Sequence, residues 1–435
     1  MQRFHWTDLR QSKLKKTGIE ILNVLFAEQL ILIRFCMPDS NGVFMNIAEI
    51  RDDTVGVSQV AHLIASGSAL MPKPVVDAVI NHTMLEAKIG GYEAHALQID
   101  QLDGVYSSIA KLIGAHRDEI AILENATAAW CHVFYALPLK KGDRILTCEA
   151  EYAANYVAFL QRQKRDGIEI EVIPSDKNGA IDLDALEKAI DERVALISLT
   201  WIPTNGGLVN PAKEVGKIAK AHNIPYLLDG CQAIGQMPVD VKDLGCDFFS
   251  ATGRKFLRGP RGIGFLFIKR HWFERLEPIV IDHFAAPWVD RNNYQLRTDA
   301  RRFENWENSY ALRAGLGAAA EYAMSIGLTE IQERSWRLAN ELRKKIEQID
   351  NAHLRDIGAE KCAIVSFTIE GLIPREVVSR LRSKGINIGT SDPSSTRLDA
   401  EARGLPTVMR AAPHYYNTSE EIDLLIEALK SEAST

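Results

Sequence analysis

Three short stretches of this chain carry side chains whose types and spacing suit chemistry. "PYLLDGCQ" ends an apolar run in Asp229, with Gln232 one turn further on. "CDFFSATGRK" ends another in Thr252 and runs on to Lys255. "IAILENAT" leads into Asn125, Ala126 and Thr127, where a helical pattern begins. A helix N-terminus offers unpaired N–H groups and the positive end of the helix dipole, which suits a phosphate. A lysine amine bonds covalently to a carbonyl cofactor. A carboxylate keeps a ring nitrogen protonated, so that the ring withdraws electrons. Each element alone has an ordinary reading: a solvated lysine, an aspartate capping a turn, a threonine serving as a plain N-cap. Taken in order they form an anion cradle, a carboxylate and an amine, the parts that pyridoxal phosphate needs.

The elements that must position them follow from the hydrophobic pattern. From about residue 119 short apolar runs alternate with helical patterns: "EIAILE" then "TAAWCHVFYAL", "RILTCEA" then "YAANYVAFLQRQK", "VALISLT" then "AKEVGKIAKAHN", and so to "PYLLD". Strands separated by helices of this length predict an α/β fold with a parallel sheet built from βαβ units. "VALISLT" is apolar on successive residues, as expected when helices cover both faces. In such sheets ligands bind beyond the carboxyl ends of the strands, where all three stretches end. The last hundred residues differ. "CAIVSFTIEG", "REVVSRLRSKG", "INIG", "TVMRAA" and "SEEIDLLIEALKSEA" predict a smaller α+β unit, whose last helix opens with Thr418 and Glu421 at capping-box spacing. The expected division is a segment lining the cleft over residues 45–75, a large cofactor-binding domain over 76–325 and a small domain over 326–435.

Bulk properties narrow the class. The chain has 435 residues, 46% apolar and 25% charged, which is ordinary for a soluble globular protein of two or three domains. A net charge of −6 gives no reason to expect a nucleic-acid partner. Six scattered cysteines with no CxxC argue against a disulfide framework or a metal site and for a reducing cytoplasm. "ILNVLFAEQLILIRFCM" after "KLKK" has the outline of a signal peptide, but Glu28 and Arg34 interrupt it, it is too short to span a bilayer, and no small-residue cleavage site follows. Residues 1–44 therefore read as a non-functional extension, with Met45 as a candidate start and no membrane association.

From about Ala61 to Leu429 the chain resembles the class V aminotransferase family, fold type I pyridoxal phosphate enzymes that include cysteine desulfurases and selenocysteine lyases. "DGCQAIGQMPVDVKDLGCDFFSATGRK" and "GPRGIGFLF" carry the resemblance. It implies that Lys255 bonds to the cofactor and that Asp229 partners the pyridine nitrogen. It implies further that Gln232 lies near the phenolate oxygen, that Thr127 and the N–H of Ala126 hold the phosphate with help from Thr252, and that Arg254 belongs to the cofactor site. Tyr152, in "EAEYAAN", stands where the family has a histidine stacked on the ring. Asn205 lies near a further ring contact, with Thr204 as the alternative. Arg410, in "VMRAAPHYYNT", would pair with a substrate carboxylate, and "IASGSALMP" would bring Ser66 and Gly67 to the substrate cleft. The family also implies a homodimer acting on an amino-acid-derived small molecule, with "RRFENWENSY" lent to the neighbouring site.

Departures from the family narrow the reaction. Desulfurases attack sulfur with a cysteine shortly before the carboxylate-binding arginine, and "GINIGTSDPSSTRLDAEARGLPTVMR" has none. Cys362 lies far ahead of Arg410, within an expected strand. Arg254 replaces a histidine, and Glu307 a threonine offered to the partner's phosphate. "GRKFLRGPRG", "STRLDAEARGL" and "HYYNT" are more similar to the branch of ergothioneine-pathway lyases that cleave hercynylcysteine sulfoxide. The reading adopted is a C–S lyase, with Tyr152 and His414 as candidate proton donors to sulfur. Another reaction of the same family is the alternative: amino transfer, epimerisation or desulfuration. A non-enzymatic α/β ligand-binding protein is a weaker one, since no GxGxxG or P-loop follows a strand.

Overall fold

Phe248–Thr252 is buried along its whole length and Val194–Thr200 at every position but Ala195, so both faces of the sheet they form must be covered by helices. The computed structural model describes residues 45–434, and the extension expected over residues 1–44 lies outside the described residues. From Ile47 onward the chain forms one compact unit.

After a short strand β1 (Ala61–His62), seven strands build the main sheet: β2 (Ile120–Leu123), β3 (Arg144–Cys148), β4 (Glu169–Ile173), β5 (Val194–Thr200), β6 (Tyr226–Asp229), β7 (Phe248–Thr252) and β8 (Gly264–Ile268). Their order across the sheet is β2-β8-β7-β6-β5-β3-β4. The run from β7 to β4 is parallel, whereas β8 is antiparallel to both of its neighbours. The main sheet is thus mostly parallel, as the fold class expected, with β8 as its one reversed strand. Only the loop between Gly253 and Ile263 joins β7 to β8, and without a crossover helix the chain must return antiparallel. On one face the helix Ala126–Ala136 sets Trp130 and Phe134 against Phe159, with ring centroids 4.6 to 5.5 Å apart.

The later strands are β9 (Trp288–Asp290), β10 (Asn293–Tyr294), β11 (Ala352–Leu354), β12 (Val365–Ile369), β13 (Ile386–Asn387), β14 (Gly389–Ser391) and β15 (Val408–Ala411). Four of them form an antiparallel sheet in the order β11-β12-β15-β14. The N-terminal segment joins this sheet region: β1 pairs with β13, and the Ala65 N–H donates to the Ala412 carbonyl at 3.0 Å. Ser66 and Gly67 are thereby carried to β15. The final helix, Ser419–Ala433, has the expected capping box between Thr418 and Glu421. Gly327, with a φ of 98°, separates the helices Tyr310–Ile326 and Leu328–Ile346.

Candidate active site

Register sets the strand ends level. Thr200 pairs with Asp229, and Asp229 with Ser250. Gly230 follows at once, where an added Cβ would lie 2.0 Å from the Phe249 ring, so only glycine lets the chain turn there. Asp229 is buried, and two donors fix its carboxylate: the Cys231 N–H at 2.9 Å on Oδ1 and Asn155 Nδ2 at 3.1 Å on Oδ2. Lys255 lies in the loop after β7, which the Gly259 N–H closes onto the Gly253 carbonyl at 2.8 Å. The Arg258 N–H closes onto the Lys255 carbonyl at 2.9 Å. Burial lowers the pKa of Lys255. The charges of Cys231 and Asp229 oppose that shift, and those of Arg254 and Arg410 add to it. An amine, a carboxylate, a thiol and two guanidinium groups therefore act on one another at this point.

A helix N-terminus lies against the start of β8. Asn125 caps the helix Ala126–Ala136, its Oδ1 accepting from the Ala128 N–H at 2.9 Å. The N–H groups of Ala126 and Thr127 lie in its first turn, and Thr127 is exposed. The close approach requires Gly264, because a Cβ there would lie 2.6 Å from the Ala251 carbonyl oxygen and 3.0 Å from the Ala126 nitrogen. Gly264 pairs with Thr252, which brings that hydroxyl residue to the same corner.

The remaining predicted residues converge from both halves of the chain. Gln232 Nε2 donates to the Ser66 carbonyl at 3.2 Å, and Arg254 donates to the Gly67 carbonyl. Arg410 Nη1 donates to the Thr204 carbonyl oxygen at 2.5 Å and to its hydroxyl. Burial holds the Arg410 pKa down to about 10. Tyr152, the N-cap of the helix Ala153–Asp166, is half-buried. Burial raises its phenol pKa, Asp229 and Cys231 add to the rise, and Arg254 and Arg410 oppose it. Of the residues gathered here, three carry a buried polar atom with no hydrogen-bond partner among the described residues: Ser66 Oγ, Gln232 Oε1 and Arg410 Nε. Unpaired buried donors and acceptors are costly, and these three belong to residues from three parts of the chain that meet here. A polar ligand would satisfy them. With the helix N-terminus, Asp229 and Lys255, the set fits pyridoxal phosphate.

Several expectations need correction. Asn205 turns away, its Nδ2 held by Asp399 Oδ2 at 2.6 Å, so Thr204 is the residue of that pair brought to Gln232 and Arg410. His414 does not face the site. It is fully buried, with Nε2 at 2.7 Å from the Phe256 carbonyl oxygen and Nδ1 at 3.2 Å from Ser335 Oγ. Burial holds its pKa well below the usual histidine value. Cys362 precedes β12 rather than lying in a strand. It is buried against Gly207 and Arg343, with its thiol pushed up to about 12. Arg258 is a structural residue with a φ of 61°. Its guanidinium donates to Leu70, Tyr415 and Thr54 and lies over the rings of Tyr415 and Tyr416. Three neighbours of the site were missed. Cys231 was visible two residues after Asp229. Glu151 and Asn155 were visible at i, i+4 spacing at a helix start, the signal of a shared face.

Residues 61–425 match the model of the family Aminotransferase class-V. A probable cysteine desulfurase of Methanothermobacter thermautotrophicus is 31% identical over 396 residues, which cover 89% of this chain and 98% of that protein. The apo cysteine desulfurase of Thermococcus onnurineus NA1 superimposes with a TM-score of 0.84 at 25% identity, covering 90% of this chain and 99% of that one. A mutant of C-DES with glycine covalently linked to its pyridoxal phosphate cofactor shares the fold, with a TM-score of 0.79 at 22% identity over 91% of this chain and 99% of that one. Sequence, fold and the donor set around Lys255 and Asp229 agree, and the chain belongs to the class V aminotransferase family of pyridoxal phosphate-dependent enzymes.

Proposed function

We propose that this enzyme cleaves the Cβ–S bond of a cysteine-derived amino acid by β-elimination, with hercynylcysteine sulfoxide, the substrate of an ergothioneine-forming lyase, as the compound cleaved. The observation that carries the reading is the convergence of Lys255, Asp229 and Arg410 beside a segment, Gly389 to Arg410, that contains no thiol. A desulfurase needs a nucleophilic cysteine to take sulfur from its substrate, and an elimination does not. That the relative from Methanothermobacter thermautotrophicus is named a probable cysteine desulfurase supports chemistry at the same bond.

Pyridoxal phosphate, when bound, supplies a ring that accepts the electron pair left at Cα. Arg410 holds the substrate carboxylate through its guanidinium fork. Asp229 keeps a proton on the ring nitrogen. The substrate amine would displace Lys255 from the cofactor, and the freed Lys255 amine would take the Cα proton, helped by the lowered pKa that leaves more of it neutral. Burial keeps the Tyr152 phenol protonated, so it can give that proton to the departing sulfur. The Cα–H and Cβ–S bonds break and a Cα–Cβ double bond forms. Sulfur leaves with its bonding pair and takes the Tyr152 proton, departing as a sulfenic acid, and water hydrolyses the enamine to pyruvate and ammonia.

The reading extends to a homodimer in the cytoplasm. The exposed Tyr92, Leu97, Trp288 and Trp306 are apolar surface that a second copy would cover, and a light-scattering mass of one chain from active enzyme would reject the dimer. The decisive assay for the reaction supplies the sulfoxide, cysteine and alanine separately. Pyruvate from the sulfoxide without a keto-acid acceptor is expected. Sulfide from cysteine as the main product would favour a desulfurase, and turnover only with a keto acid would sink the lyase reading.

A further inference from the structure

Asn155 is 3% exposed, and its one amide nitrogen reaches two carboxylates: Glu151 Oε1 at 2.9 Å and Asp229 Oδ2 at 3.1 Å. An amide nitrogen carries two N–H bonds, so each carboxylate receives one. Glu151 is equally buried. Its Oε1 also accepts from the Tyr152 N–H at 2.8 Å and from the Thr200 hydroxyl, and its Oε2 accepts from the Thr147 hydroxyl at 2.7 Å. Four donors converging on one buried carboxyl group make the surroundings of a carboxylate. Among the described residues neither Glu151 nor Asp229 is ion-paired to a lysine, arginine or histidine. Burial raises the Glu151 pKa; the bonds from Thr200, Thr147 and Asn155 lower it, and the nearby charge of Asp229 raises it, so the two acids act on each other. Cys148 is the other titratable group that responds to Glu151. Lys255, Cys231 and Tyr152 are those that respond to Asp229.

We propose that Glu151 and Asn155 are positioning residues for Asp229. Asn155 fixes the rotation of its carboxylate, and Glu151 adds a second buried negative charge behind it, so that a cationic ring nitrogen meets two anions rather than one. The inference rests on the assignment of Asp229 to the cofactor nitrogen. Its physical basis is charge balance. Two anions that share an amide at the bottom of a buried site repel each other until a cation arrives, and a protonated pyridine ring is such a cation. The first turn of the helix Ala153–Asp166 supplies Asn155, and its N-cap N–H, that of Tyr152, donates to Glu151.

The test uses holoenzyme reconstituted with pyridoxal phosphate carrying a nitrogen-15 label in the ring, whose chemical shift reports protonation independently of turnover. Glu151→Gln removes the charge and keeps the shape. Its oxygen accepts from Tyr152, Asn155 and Thr200, and its amide donates to Thr147, whose hydroxyl can also accept. The protonation constant of the ring nitrogen should fall about tenfold, equivalent to one pK unit. Asn155→Ala, which breaks the bridge and leaves the Glu151 charge, should also lower it. Asp229→Asn tests the underlying assignment and should lower it further than either. If Asp229→Asn moves the signal while Glu151→Gln and Asn155→Ala leave it at the wild-type position, the inference is overturned and the assignment stands. If Asp229→Asn itself leaves the signal in place, the assignment fails and the inference with it. Should Glu151→Gln fail to fold, the Asn155→Ala spectrum decides.

Discussion

Arg410 Nη1 donates to the carbonyl oxygen of Thr204 at 2.5 Å across 206 residues of sequence. The bond ties β15 of the small sheet to the loop after β5 of the main sheet, so the guanidinium spans the two sheets while its buried Nε stays unpaired. An arginine held this way presents a preset fork to a carboxylate, and a lysine in its place would offer one point charge. Arg410→Lys should therefore lower kcat/KM by about ten- to a hundredfold, as expected for losing a charged hydrogen bond. The cofactor absorbance should stay unchanged. Equal loss of cofactor binding would move Arg410 from the substrate to the cofactor.

Cofactor capture should depend on pH through Lys255. Its pKa lies below the ordinary lysine value, chiefly because of burial. Only the neutral amine attacks an aldehyde, so the rate at which apoprotein takes up pyridoxal phosphate should rise with pH. It should level off before a free lysine would. In Asp229→Asn a charge that raises the Lys255 pKa is gone, and the profile should move to lower pH. Between the lowered pKa and the ordinary value the unfolded chain binds a proton that the folded site has released. This group's contribution to stability therefore increases as pH rises through that window. Stopped-flow absorbance of apoprotein mixed with cofactor measures the capture profile, and a rate independent of pH would contradict it.

Arg258 tests the scaffold beneath the lysine. Its guanidinium donates to the Leu70 carbonyl at 2.8 Å, Tyr415 Oη at 2.7 Å and Thr54 Oγ1 at 2.6 Å, and it lies 4.7 Å from the Tyr416 ring centroid. Arg258→Ala removes the donor to all three acceptors together with the ring contacts and should cost about 3 kcal/mol or more. Urea unfolding of the apoprotein, compared with wild type, reads that loss directly. A change below about 0.5 kcal/mol, typical of a surface site, would show that the contacts carry no stability.

The parts of this molecule that were legible in advance are those encoded locally. Apolar runs marked β3, β5, β6 and β7, and the Thr418–Glu421 spacing marked the last helix, because each depends on residues a few positions apart. Asp229 and Lys255 stood out as candidates because strand ends are where an α/β sheet gathers its chemistry. What stayed hidden depends on contacts distant in sequence. The bond from Asn155 to Asp229 spans 74 residues, and nothing in "EYAAN" announces its partner. His414 lies in a stretch like that of a site residue, yet Phe256 and Ser335, both remote in sequence, close over it. The reversal of β8 turned on how the Gly253–Ile263 loop folds, which neither strand's composition reveals. Asn205 and Thr204 are adjacent, and only the position of Asp399 decides which of them faces the site.

The central claim is that Lys255 bonds to the cofactor beside Asp229. Borohydride reduction of the holoenzyme, followed by digestion and peptide mass spectrometry, tests it most directly, because reduction makes the lysine–cofactor bond permanent. The account predicts the phosphopyridoxyl mass on the peptide containing Lys255 and its disappearance, together with the cofactor's visible absorbance, in Lys255→Ala. The same mass on a different lysine, or a Lys255→Ala protein that keeps both the label and the absorbance, would contradict it.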